Sequence, residues 1–219
     1  MAISKLNFNS LNVTPSASSA IGFDSGADDL ETGSAGGSMV FIKKLTASSS
    51  GTLSFVDGAS SVVLDNTYKE YVFTFNNIHP ATNDVALKGN FTTDGTNFNV
   101  TKTTTWFGAV HDQDDNYTGL GYSTGRDLAQ STSDFTISQS VGNENEACIG
   151  GYLHLFNPSS TTFVKHFISV MSTDWGGVVG STNDFGAGYC NTTSAITGFR
   201  VNFSSGNIDA GTITLYGIA

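Results

Sequence analysis

The residues best suited to chemistry stand in the run His111-Asp-Gln-Asp-Asp-Asn-Tyr-Thr118. Asp112, Asp114 and Asn116 alternate as in the first half of a calcium loop, where several oxygens converge at about 2.5 Å on the ion. The match ends there, because Tyr117 occupies the place of the turn glycine and Ser123 that of the bidentate glutamate. The run is therefore expected to be a polar loop that meets solvent, a partner or a glycan, and no metal is assigned to it. Two tryptophans lie close to acids. Trp106-Phe107 ends a strand ahead of this run, and Trp175 follows Asp174 in Thr173-Asp-Trp-Gly-Gly177. An aromatic face with Asp and Asn acceptors suits a pyranose, which has an apolar face and a rim of hydroxyls. Trp106, His111, Asp112, Asp114, Asn116, Tyr117, Asp174 and Trp175 are accordingly the candidate ligand-binding set. The competing reading has both tryptophans capping a core or buried against a neighbouring subunit.

No catalytic residue and no cofactor is assigned. His79, His111, His154 and His166 form no HxH or HExxH pattern, and His154 and His166, each on an alternating strand face, are expected to be core or interface histidines with a satisfied hydrogen bond. No GxSxG motif and no glycine-rich phosphate loop follows a strand and opens a helix. Cys148 and Cys190 have no ligand spacing and are read as unpaired thiols. Paired carboxylates of a glycosidase meet in space and not in sequence, so a glycan-cleaving enzyme is kept as a third reading.

Composition decides which elements position these residues. Ser, Thr, Asn and Gly make up 97 of 219 residues, whereas Lys, Glu and Arg number 7, 4 and 2. Helical bundles and doubly wound α/β enzymes need long stretches of the scarce types, so an all-β chain with many polar turns is expected. The formal charge of −10 disfavours phosphate contacts, hence nucleic acid and anionic membrane as partners. No apolar run is long enough to span a membrane, and residues 1–7 lack the apolar centre of a signal peptide.

Residues 1–38 are rich in Ser, Gly, Ala and Asn, with thinly spread apolar residues and a linker-like Gly33–Ser38 end. Unable to build a core alone, they read as an extended anchoring arm that orders against a partner. From Met39 the pattern becomes short alternating segments. In Lys69–Ile78, Tyr71, Phe73 and Phe75 share one face of a strand, and Val85, Leu87, Gly89 and Phe91 repeat that pattern before an Asp94-Gly95 turn leading to Phe98 and Val100. Gly150–Phe156 and Thr161–Met171 flank Pro158 as a hairpin; Ile196–Phe203 and Thr212–Ile218 flank Ser204–Asn207 as another. Met39–Thr46, Thr52–Val56, Val62–Leu64, Thr103–Val110 and Asp134–Ser138 add further strands, and Asp112–Ser133 is left as a loop. Ten or so short strands in residues 39–219 mean an antiparallel β-sandwich, with jelly-roll topology preferred.

Phe41–Gly58 and Tyr68–Pro80, together with Ile196–Ile218, resemble the opening and closing strands of a family of structural proteins from tailed marine bacteriophages. The resemblance covers residues 39–219 and not the arm. It implies a virion component that works as a homo-oligomer, often a trimer, without catalytic residues. The expectation is a capsid decoration protein, assembled in the host cytoplasm and held by residues 1–38 to other virion proteins. The alternative is a short tail-fibre or receptor-binding module contacting host surface glycans.

Overall fold

The computed structural model describes residues 38–174 and 180–219, with the backbone of Ala20–Phe23 and Leu30–Gly33. Within residues 1–38, strands β1 (Ala20–Phe23) and β2 (Leu30–Gly33) pair antiparallel as a two-stranded ribbon, where an extended arm is expected. Residues 39–219 form a separate compact unit. It contains β3 (Met39–Thr46), β4 (Leu53–Val56), β5 (Glu70–Pro80), β6 (Val85–Thr92), β7 (Lys102–Asp112), β8 (Thr118–Tyr122) and β9 (Leu128–Ser131). There follow β10 (Phe135–Val141), β11 (Ile149–Phe156), β12 (Lys165–Asp174), β13 (Gly180–Cys190), β14 (Gly198–Phe203) and β15 (Ile208–Ile218). Among the described residues no helix is long and apolar enough to cross a membrane.

The protein is an all-β sandwich of two antiparallel sheets. One has the order β10-β6-β14-β4; the other runs β3-β15-β5-β11-β12-β13-β7-β8, with β9 also paired to β7. The chain alternates between the sheets, β3 in the large, β4 in the small, β5 in the large, β6 in the small, a wrapping compatible with a jelly roll.

Alternation builds the core. Phe55, Phe73, Phe91, Phe135, Phe167 and Phe199 are all buried between the sheets. Phe91 sits at their centre, its ring centroid 5.5 Å from Phe135, 5.0 Å from Phe167 and 5.1 Å from Phe199. Gly89 lets these rings close, since a Cβ there would stand 2.8 Å from Phe199 and 2.9 Å from Ile137.

Two buried lysines pin one end of the large sheet. Lys165 and Lys102 flank Cys190 in a single register row across β12, β13 and β7. The Lys165 ammonium donates to the carbonyls of Ser160, Phe163 and Thr192, and that of Lys102 to Ser133 at 2.8 Å. Burial lowers Lys102 to about 8 and pushes the Cys190 thiol up to about 12. Cys148 and Cys190 are both free thiols, as expected.

Four expectations are corrected. Val62 and Leu64 are buried in an irregular segment after a turn, not in a strand, with the Leu64 amide donating to Asp57 at 2.8 Å. Asp94-Gly95 does form a turn, with Gly95 at φ 76°, but Phe98 and Val100 are not in a strand. A strand has only two edges, and those of β6 are taken by β10 and β14. Ile196–Phe203 and Thr212–Ile218 supply β14 and β15, which lie in different sheets and are no hairpin. Two segments with one apolar face each can pair edge to edge or pack face to face, and alternation does not distinguish these. Asp112–Ser133, expected as a loop, contains β8 and β9, edge strands made by backbone pairing to β7 with little burial.

Truncating the central ring, Phe91→Ala, is expected to cost about 3–5 kcal/mol. Chemical denaturation should show a lower midpoint with little change in slope; an unchanged midpoint would show that the cluster does not hold the sheets together.

Candidate functional site

The β7–β8 hairpin carries most of the candidate residues. Asp112 is buried, and its Oδ1 accepts from the amides of Asn116 at 2.8 Å and Tyr117 at 3.0 Å. That carboxylate therefore closes the turn instead of joining Asp114 and Asn116, both exposed, in a common oxygen shell. Among the described residues no group of three or more His, Cys, Asp or Glu side chains is arranged to hold a metal ion. His111 faces outward, with Nε2 3.1 Å from Asp115 in a solvent-exposed pair of little energetic weight.

Strand register brings Asp174 to the same end. Asp174 pairs with Ser181, and Ser181 with His111. Asp174 accepts from the Gly180 amide at 2.7 Å and borders a shallow concavity of about 350 Å³ with Gln113, Glu146 and Ser181. Trp175 lies outside the described residues.

Trp106 belongs to a different place. It points inward from β7, is only 2% exposed, and has the Arg126 guanidinium 5.1 Å over its ring. With its face covered it presents no open platform for a sugar, which is the core-capping reading. Trp106, Arg126, Gln139 and Tyr117 line a cavity of about 330 Å³ on the inner side of the hairpin. The structure thus divides the candidate set: His111 and Asp174 stand on the outer side of the sheet end, Asp114 and Asn116 at the hairpin tip, Trp106 and Tyr117 on the inner side.

The other histidines are not in the core. His154 is half-buried on the outer sheet face and pairs with Glu70, and His166 is exposed there beside Tyr189, with centroids 5.9 Å apart.

Sequence reasoning missed Asp184. It is fully buried on β13, where its Oδ2 accepts from Ser138 Oγ at 2.7 Å and from the Gln139 amide at 3.0 Å. Its Oδ1 has no hydrogen-bond partner, and neither has the buried Trp106 Nε1. Burial pushes its carboxyl up to about 6, against the pull of Ser138, Gln139 and Arg126. The signal lay in β13, where Asp184 occupies an inward position in series with Thr182, Gly186, Gly188 and Cys190.

The folded protein holds the Asp184 proton more tightly than the unfolded chain. The stability contributed by the protonated carboxyl is therefore complete below about pH 4 and falls as pH rises through about 6. Asp184→Asn removes the titration while its amide oxygen can keep both acceptor bonds. Relative to wild type, the variant is expected to gain roughly 2–3 kcal/mol between pH 3.5 and pH 7.5, read from urea midpoints across that range. A difference that does not vary with pH would refute the assignment.

No family model matches this chain, and neither does any curated protein or solved structure.

Proposed function

We propose that the protein is a structural, non-enzymatic virion component of a tailed bacteriophage, a capsid decoration subunit held on the particle through residues 1–38. The observation that carries this reading is where the phage-like segments fall. Residues 41–58 and 68–80 run through β3, β4 and β5, and residues 196–218 through β14 and β15. Although they come from opposite ends of the domain's sequence, β3, β15 and β5 are neighbours in the large sheet, and β14 and β4 in the small one. The resemblance therefore describes one contiguous piece of the sandwich.

The use made of the acids supports a structural role. Asp57, Asp65, Asp94, Asp112 and Asp174 each accept a backbone amide from a few residues along the chain, a scaffolding task that leaves them poorly placed as general acids or bases. The charge of −10 suits a subunit that must stay soluble before assembly and not adhere to the genome. Within this reading the chain works as a homo-oligomer on the virion, three copies being the number the resemblance implies, with other virion proteins as partners of residues 1–38. A tail module that contacts host glycan is the second reading, favoured by the half-exposed Tyr117 on the inner side of the hairpin, where it lines the cavity shared with Trp106.

Quantitative mass spectrometry of purified particles, with immunogold labelling, separates the two. Decoration predicts many copies per particle with gold over the capsid; a few copies, or gold confined to the tail, would transfer the protein to the second reading.

A further inference from the structure

The two sheets treat their outward faces differently. On the small sheet the outward rows are polar: Ser54–Arg200–Asn90 and Asn202–Lys88–Thr136. Ser54 is exposed and Arg200, Asn202 and Lys88 are half-buried, while Asn90 and Thr136 are buried, Asn90 donating to Thr132 and Asp134; the residue types are those of a face that meets polar surroundings. On the large sheet, the corresponding row across six strands is Phe41–Tyr216–Val72–His154–Ile168–Ala187. The adjacent row starts at Lys44, Thr214 and Thr74 and continues through Tyr152, Val170, Phe185, Phe107 and Tyr122 to the edge at β8.

Of the eleven side chains from Phe41 to Ala187 and from Tyr152 to Tyr122 only Val72 is covered; five are exposed and five half-buried. Phe41 is 61% exposed and Ile168, near the middle of the sheet, 46%. Seven of the nine exposed large apolar side chains among the described residues stand on this face; the other two, Tyr117 and Phe163, are in turns. Phe107 and Phe185 stack with centroids 4.8 Å apart and planes within 5°, a plate already formed without a partner. Between Ile168, His166 and Tyr189 the small residues Ala187 and Gly188 leave a depression of about 460 Å³, wide enough for a large side chain from outside.

We propose that this outer face of the large sheet, centred on Ile168 and Val170, is the surface through which copies of this chain bind one another. The inference rests on the reading that the chain is a homo-oligomer, and not on where it works. Two features select a second copy as the occupant. The first is charge. In a chain of net charge −10, the acid at the margin of these rows, Glu70, is paired with His154, Asp127 accepts the Tyr122 hydroxyl, Lys44 adds one positive charge, and Asp174 stands two rows beyond Val170 at the sheet end. Identical acidic chains repel through most of their surface and can meet only across a patch with little net charge. The second is area. Eight strands about 4.8 Å apart and four side-chain rows about 7 Å apart, from the row of Met39 to that of Leu120, cover roughly 700 Å², close to the roughly 800 Å² that each partner gives to a standard interface.

The test is the mass of the full chain in solution by sedimentation velocity and light scattering over a concentration series. Wild type is expected at a multiple of 23.0 kDa. Ile168→Asp and Phe107→Asp should each weaken association roughly 30-fold or more, while Phe163→Asp, at a side chain more exposed but off the face, leaves it unchanged. Circular dichroism melts matching wild type show that each variant is folded. A wild-type chain of 23.0 kDa at every concentration overturns both the face and the self-association reading. An oligomer that both face variants leave intact overturns the face alone. A monomer that loses its attachment to particles on Ile168→Asp overturns the second copy as occupant, in favour of another virion protein.

Discussion

The sandwich depends on one condition: phenylalanines from strands far apart in sequence must meet between the sheets. Phe73 comes from β5, Phe91 from β6, Phe135 from β10, Phe167 from β12 and Phe199 from β14, and each ring lies within 5.5 Å of at least one other. The first and last of these rings are more than a hundred residues apart in sequence, so the gain is collected only when the chain has crossed between the sheets several times. The small sheet is centred on this cluster. Its edge strand β10 packs over β12 and β13, and beyond that edge the inner face of β7 is closed by Trp106 and Arg126. Asp184 is trapped at this margin, where core packing gives way to side-chain cover.

How much could be read from the sequence follows from this arrangement. Segments buried on one face announce themselves: Tyr71, Phe73 and Phe75 define β5, and the β11–β12 hairpin around Pro158 forms as expected. Which strand lies beside which is a different matter, because alternation records only the facing of each side chain. β14 and β15 have the pattern of hairpin partners and instead lie across the core from each other. β8 and β9 gave no pattern at all, since edge strands such as Thr118–Tyr122, with two glycines and almost no burial, are held by backbone hydrogen bonds. The candidate site was half legible. The turn at Asp112 and the position of Asp174 at one sheet end follow from loop-like composition, whereas the inward turn of Trp106 and the burial of Asp184 depend on which face of β7 and β13 meets the small sheet.

Charge is sorted along the strands. Lys102 and Lys165 lie at the start of β7 and β12, while Asp112, Asp174 and the 111–118 hairpin lie at the other end of those strands, ten or so residues and about 33 Å away. The lysines are satisfied by carbonyls and neutralise none of those acids, so the acidic end keeps its charge. The low overall content of charge, 13% of residues, does not mean an even distribution. It leaves one strand end acidic, one face of the small sheet polar, and the broad face of the large sheet almost without charge.

That sorting bears on symmetry. If copies meet through the large sheet, an arrangement in which their strands run alike brings the acidic ends together, adding repulsion among Asp114, Asp115 and Asp174 of each copy. A two-fold perpendicular to the strands places the acidic ends at opposite extremes, beyond the Debye length of about 8 Å at physiological salt. A three-fold axis along the strands gathers three acidic ends and needs the apolar face to outweigh them. The stripe of Phe41, Ile168 and Phe107 provides attraction in either case, because burial of apolar surface is non-directional. The acids at the strand ends therefore do what the apolar stripe cannot: they distinguish one stacking of identical faces from another.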